Sequence, residues 1–111
     1  MDQKLAKLRA KNAIKHIDLA LNDINGVSLE EFKQSDLLSR ADAFSITQIG
    51  EQLNRLSEFY EKDHPEIPWY KANGMRNMIV HDYHRVNFED VYMTIKNDLP
   101  KLKEQLQKLL D

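Results

Sequence analysis

A chain of 111 residues is long enough to bury one hydrophobic core and too short for two, so a single domain over residues 1–111 is expected. With no cysteine there is no disulfide framework and no thiolate metal site, which fits a reducing cytoplasm. No run approaches the roughly 20 apolar residues of a membrane span, and the start, Met1-Asp2-Gln3-Lys4, lacks the apolar core of a signal peptide, so a soluble, cytoplasmic protein is expected.

The net charge of −2 conceals a pattern. Residues 1–27 carry five Lys/Arg against three Asp/Glu, residues 28–66 four against nine, and residues 67–87 three against one. The third stretch is locally basic in an acidic protein, and His81 and His84 add charge there when protonated. That balance suits a compact contact with a polyanion, not a long nucleic-acid groove.

In chain order, Leu5, Leu8, Ala13, Ile14, Ile17, Ala20 and Leu21 recur at helical spacing, which predicts a first helix from Gln3 to Asn22, ended by Asn25-Gly26. Ser28-Leu29-Glu30-Glu31 reads as a capping box opening a short helix, and Ser35 can cap the next start. From Asp36 to Glu61 there is no proline and one glycine, and Leu37, Leu38, Ala41, Phe44, Ile46, Ile49, Leu53, Leu56, Phe59 and Tyr60 follow the period. This is the longest predicted helix and the spine of the core.

His64-Pro65-Glu66-Ile67-Pro68 breaks the pattern, because two prolines three apart forbid helix across the pair. Pro68 can stand at the first helical position of the segment carrying Trp69 and Tyr70. Gly74 is expected to interrupt, by a turn or by close packing, just before a helix that begins at Met75. Asn87-Phe88-Glu89-Asp90 restarts helix, and Val91, Ile95, Leu99, Leu102, Leu106 and Leu109 form a last apolar stripe. Pro100 within it predicts a kink, or a restart capped by Asn97 or Asp98. With no strand signal, repeat or low-complexity linker, the expected fold is all-α, an antiparallel bundle of four main helices plus short ones.

One stretch concentrates polar chemistry: Arg76-Asn77-Met78-Ile79-Val80-His81-Asp82-Tyr83 puts a guanidinium, a carboxamide, an imidazole and a phenol into eight residues. At about 100° per residue a helix would place Arg76 and Tyr83 on one face and Asn77 and His81 on the adjacent one. Arg76 and His81 would stand roughly 140° apart, so their tips meet only by reaching round or if the helix ends near His81.

Each of these residues also has a plain structural reading. A histidine near a helix end is commonly a cap, Arg76 can be an exposed ion-pair partner, and Tyr83 can pack with its hydroxyl wet. Met75, Met78, Ile79 and Val80 read as core, and Trp69 and Tyr70 as residues that close the bundle's end, with base stacking chemically open to them. Glu51 is a solvated helix charge unless it faces the motif, where it would orient Arg76. His16, His64, His81 and His84 lack the spacing of a zinc site, and no acidic pair resembles a two-metal nuclease.

An Arg, four residues, a His, one residue and a Tyr form the signature of the HEPN ribonucleases, and the surrounding sequence resembles their HepT branch. The resemblance takes in Ile49-Gly50-Glu51, Arg55-Leu56-Ser57, Pro65-Glu66-Ile67-Pro68-Trp69, Gly74-Met75-Arg76-Asn77 and Asp98-Leu99-Pro100, in order. One departure is Asp82, an acid where the pattern has a small residue. The resemblance implies a HEPN-like bundle, an obligate homodimer with a composite cleft, and catalytic roles for Arg76 and His81, supported by Asn77. It further implies a toxin of a two-gene, type VII-like module, neutralised by an MntA-like nucleotidyltransferase antitoxin that transfers AMP to the motif tyrosine, here Tyr83.

The chemistry expected of such a site needs neither metal nor cofactor. RNA supplies its own nucleophile, the 2′-hydroxyl, so an imidazole can take that proton while a guanidinium stabilises charge building on the phosphate. A lone motif histidine per chain serves as base or acid but not comfortably as both, which favours a two-fold dimer. A rival expectation is a non-catalytic helical module that binds a nucleotidyltransferase partner; a weaker one is a helical nucleotide-binding domain acting on small molecules.

Overall fold

The computed structural model describes residues 1–78 and 86–111, and among these it shows six helices and no strand. Helix α1 spans Gln3–Ile24, with the Asp2 side chain accepting from the Leu5 amide at 2.7 Å as its N-cap. Asn25 ends it, and Gly26 turns the chain at φ 75°, a left-handed conformation that glycine adopts without steric cost. Helix α2, Leu29–Gln34, opens with the expected capping box: the Glu31 amide donates to Ser28 Oγ at 3.1 Å and the Ser28 amide to Glu31 Oε1 at 3.0 Å. Ser35 then caps α3, Asp36–Tyr60, through the Leu38 amide.

The 25 residues of α3, at about 1.5 Å each, account for most of the molecule's 41 Å long axis. Helix α1 lies antiparallel against it, since Arg9 and Asn12 both hydrogen-bond Gln52 whereas His16 reaches back to Ser45. Small side chains line that contact: Ala6, Ala10, Ala13 and Ala20 are buried with Ile17. Helices α5, Phe88–Asn97, and α6, Leu99–Leu110, complete the four main helices of the expected bundle, with Val91, Ile95, Leu99, Leu102 and Leu106 in the core. Asn87 caps α5 by accepting from the Asp90 amide at 3.2 Å.

Several expectations change. Pro68 precedes a short 3-10 turn, Trp69–Lys71, as its cap and not as its first residue. Gly74 does not interrupt: it lies within α4, Ala72–Arg76, which begins before Met75 and ends on Arg76, the first residue of the motif. Pro100 sits in the first turn of α6, a restart as expected, but Asp98 makes no capping bond; its carboxylate pairs with Lys71 Nζ at 3.3 Å. Trp69 closes the bundle's end, donating its indole N–H to the His64 carbonyl at 2.8 Å, while Tyr70 is 81% exposed and closes nothing. Leu5, Leu8, Leu37, Phe44 and Phe59 follow the helical period yet stay exposed, because the close α1–α3 approach admits alanines and serines instead.

One buried polar residue is out of keeping with the core. Asp42 on α3 is fully buried, its two oxygens accept no hydrogen bond among the described residues, and it faces the Asp23 carboxyl on α1, with which it can share a proton. Burial, then the neighbouring Asp23, pushes its pKa up to about 8. A folded-state pKa above the unfolded value means the native state holds the extra proton, so stability falls as pH rises from about 4 towards 8. Asp42→Asn is therefore expected to stabilise the protein more at pH 8.5 than at pH 5, by on the order of a few kcal/mol. Urea unfolding at the two pH values checks this, and an equal effect at both would refute it.

Candidate functional site

The site is built where α4 crosses α3. An ideal Cβ on Gly50 of α3 would lie 2.6 Å from the Arg76 backbone nitrogen, 2.7 Å from Met75 Cβ and 2.9 Å from the Ala72 carbonyl oxygen. Only a residue without a side chain lets the two helices approach this closely. Met75 and Ala72 are buried at the crossing, which anchors α4 and leaves Arg76, its last residue, at the surface. A cation in a final turn also meets the negative end of the helix dipole.

From there Arg76 Nε donates to Glu51 Oε2 at 3.0 Å, so Glu51 faces the motif and orients the arginine. The other carboxylate oxygen, Glu51 Oε1, accepts from Arg55 Nε at 2.9 Å. Glu51 thus bridges two guanidinium groups. The Arg55 hydrogen bond, with the positive charges of Arg76 and Arg55 behind it, holds the Glu51 carboxyl below its ordinary pKa against a desolvation effect of opposite sign. Ion pairs this exposed contribute only about 0.2–1 kcal/mol, so the cluster is better explained by where it points Arg76 than by stability.

Of the expected site residues, Glu51 and Arg76 are brought together. Asn77 is exposed at the C-cap of α4, its amide donating to the Asn73 carbonyl at 3.1 Å. His81 and Tyr83, with Asp82 and His84, lie outside the described residues. Helix α4 ends at Arg76, and Asn77 and Met78 after it are not helical, so the expected helix does not run on from Arg76 through the described part of the motif. Arg55 was not singled out from the sequence for a role at the site, although its spacing of four from Glu51 is the standard helical ion-pair signal. Among the described residues no three His, Asp or Glu side chains are grouped to hold a metal ion, and no helix is long and apolar enough to cross a membrane.

Two further surfaces stand out. Tyr70, Lys71, Gly74, Met75, Met78, Thr94 and Asp98 line a cavity of about 210 Å³. On α3 the exposed Leu37 and Phe44 lie two turns apart on one face, and Phe44 meets His16 of α1 edge-on at 6.3 Å between ring centres. Burial, then Lys15, lowers the His16 pKa.

Residues 10–109 match the family model described as "Ribonuclease HepT-like". A protein of Caldanaerobacter subterraneus subsp. tengcongensis named "Putative RNase" is 28% identical over 100 residues, covering 90% of this chain and 89% of its own. A "Putative RNase" of Methanocaldococcus jannaschii is 25% identical over 97 residues, 87% of this chain and 80% of its own. The "Probable ribonuclease HepT" of Thermococcus cleftensis is 36% identical over 61 residues, 55% of this chain and 56% of its own. No solved structure matches the chain.

Proposed function

The chain belongs to the HepT-like ribonuclease family, and from that premise we propose that it is a metal-independent endoribonuclease toxin that cuts RNA through the 2′-hydroxyl. The observation that carries this reading is Arg76, held through Nε by Glu51 at 3.0 Å with 39% of its side chain exposed. A guanidinium has five N–H donors, and among the described residues only Nε is engaged, which leaves the four on the terminal nitrogens for phosphate oxygens. In the proposed reaction His81 takes the 2′-hydroxyl proton and the oxygen attacks the adjacent phosphorus. Arg76 stabilises the charge that builds on the phosphate oxygens. The 5′-oxygen leaves with a proton from the motif imidazole of a second copy of the chain, giving a 2′,3′-cyclic phosphate, and DNA is spared because it lacks the attacking hydroxyl.

RNA cleavage is expected to persist in excess EDTA and to stop when a 2′-deoxy sugar stands at the cut. Loss of cleavage in EDTA that magnesium restores would overturn the mechanism.

A dimer follows from the same reading, because the one catalytic imidazole proposed per chain, His81, leaves either the base or the acid unfilled. The exposed Leu5, Leu8, Leu19, Leu37 and Phe44 support it as apolar surface on α1 and α3 that the single chain leaves uncovered. Light scattering is expected to give about twice 13.1 kDa, and a monomer would sink the shared cleft.

The regulatory part of the proposal is that an MntA-like nucleotidyltransferase partner transfers AMP from ATP to the Tyr83 hydroxyl, with release of pyrophosphate. The added negative charge and bulk would compete with substrate phosphate. Tyr83→Phe is expected to keep substantial cleavage while escaping inactivation by partner and ATP, with intact mass showing AMP addition on wild type alone. Modification of the variant would put the acceptor elsewhere. Loss of cleavage comparable to His81→Ala would make Tyr83 part of the chemistry.

A further inference from the structure

The bridging of Glu51 by two arginines has a consequence for how Arg76 presents itself. A carboxylate facing one arginine prefers the two-bond fork, in which both oxygens accept and two guanidinium nitrogens are consumed. Here Arg55 Nε occupies Glu51 Oε1 at 2.9 Å, and among the described residues the Arg76 side chain is bound through one hydrogen bond, Nε to Oε2. Arg55 lies one helical turn beyond Glu51 on α3, so its hold is local, whereas Arg76 arrives from α4, 25 residues away in sequence.

We infer that Arg55 is a positioning residue: by taking one oxygen of Glu51 it prevents that carboxylate from closing a fork on Arg76, and so keeps both terminal nitrogens of Arg76 free for a phosphate. The inference rests on the ribonuclease reading of Arg76 given above. Without Arg55, Glu51 turns both oxygens to Arg76, and the guanidinium that should meet the scissile phosphate is neutralised in place. The cluster's charge also matters. Arg55, Glu51 and Arg76 together carry a net +1, whereas Glu51 and Arg76 alone carry none.

The test uses the full chain in metal-free RNA cleavage and in NMR of the arginine side chains. Arg55→Ala is expected to lower kcat roughly tenfold while KM stays within about twofold, since the damage is to orientation at the reacting phosphate. Arg55→Lys, which keeps a donor and the charge, should return part of the loss. Adding Glu51→Gln to Arg55→Ala should also raise kcat above that of Arg55→Ala alone, because the competing carboxylate is gone; such coupling is the signature of a shared network. Additive losses, an unchanged kcat, or a change confined to KM would overturn the inference, the last by making Arg55 a direct RNA contact.

The NMR arm does not depend on activity. The Arg76 terminal N–H groups, assigned through Arg76→Lys, should rotate freely in wild type and become restrained in Arg55→Ala. Identical Arg76 signals in the two proteins would overturn the inference. Absence of RNA cleavage by wild type would remove the ribonuclease reading while the NMR result still decides whether Arg55 controls Glu51.

Discussion

Arg76→Ala and His81→Ala are each expected to reduce RNA cleavage by about 10²-fold or more while leaving the fold intact, the scale set by loss of a charge-stabilising donor or a general base. For Arg76 the expectation of an intact fold follows from its place. The side chain is 39% exposed at the end of α4, its ion pair with Glu51 is a surface one, and the packing at the crossing belongs to Met75 and Ala72. Thermal unfolding within a few degrees of wild type, together with the lost cleavage, would separate chemistry from stability. His64→Ala serves as the control, because that imidazole pairs with Glu66 at 3.2 Å and has no part in the proposed reaction; it should change the rate less than about twofold. Cleavage by Arg76→Ala within a few-fold of wild type would remove the guanidinium from the mechanism.

The second large effect is expected at a residue with no side chain. Gly50→Ala would put a methyl group 2.6 Å from the Arg76 nitrogen and 2.9 Å from the Ala72 carbonyl oxygen, both backbone atoms that cannot swing aside. Alanine is the better helix former by about 1 kcal/mol, but overpacking at a close helix crossing costs about 1–3 kcal/mol or more. The net effect should be a loss of stability, and because α4 carries Arg76, a displacement that also disorders the Arg76–Glu51 contact. A shift of about 1 Å at a reacting group can cost on the order of 10²-fold in rate, so cleavage should fall further than the change in stability explains.

Gly74→Ala is the matching contrast. It lies in the middle of α4 with nothing among the described residues within 4 Å of the added Cβ, so the substitution should be neutral or stabilise by about 0.4–1 kcal/mol. Differential scanning calorimetry of the two variants against wild type measures both signs at once. If Gly50→Ala proved as benign as Gly74→Ala, the close crossing of α3 and α4 would not be what sets the site.

The local pieces of this protein are legible in its sequence because the interactions that make them span three or four residues. Ser28 and Glu31 close a capping box, Ser35 and Asn87 cap the helices that follow them, and Pro100 begins a helix, each readable from neighbours alone. The all-helical class follows in the same way from the apolar period, and so does the concentration of polar groups from Arg76 onward. What the period does not reveal is which apolar side chains the neighbouring helix leaves room for. Leu8 and Phe44 remain at the surface while Ala10 and Asp42 are buried, because inclusion depends on the distance between α1 and α3. Nor does local sequence decide that α4 stops at Arg76, that Gly74 is an ordinary helical position, or that Gly50 is the glycine the fold depends on. Glu51 and Arg55 could be paired from their spacing of four, but the 25-residue separation of Glu51 from Arg76 is closed only by the packing of α4 on α3. A contact between two helices is a property of both surfaces, and neither surface is written in the residues of the other.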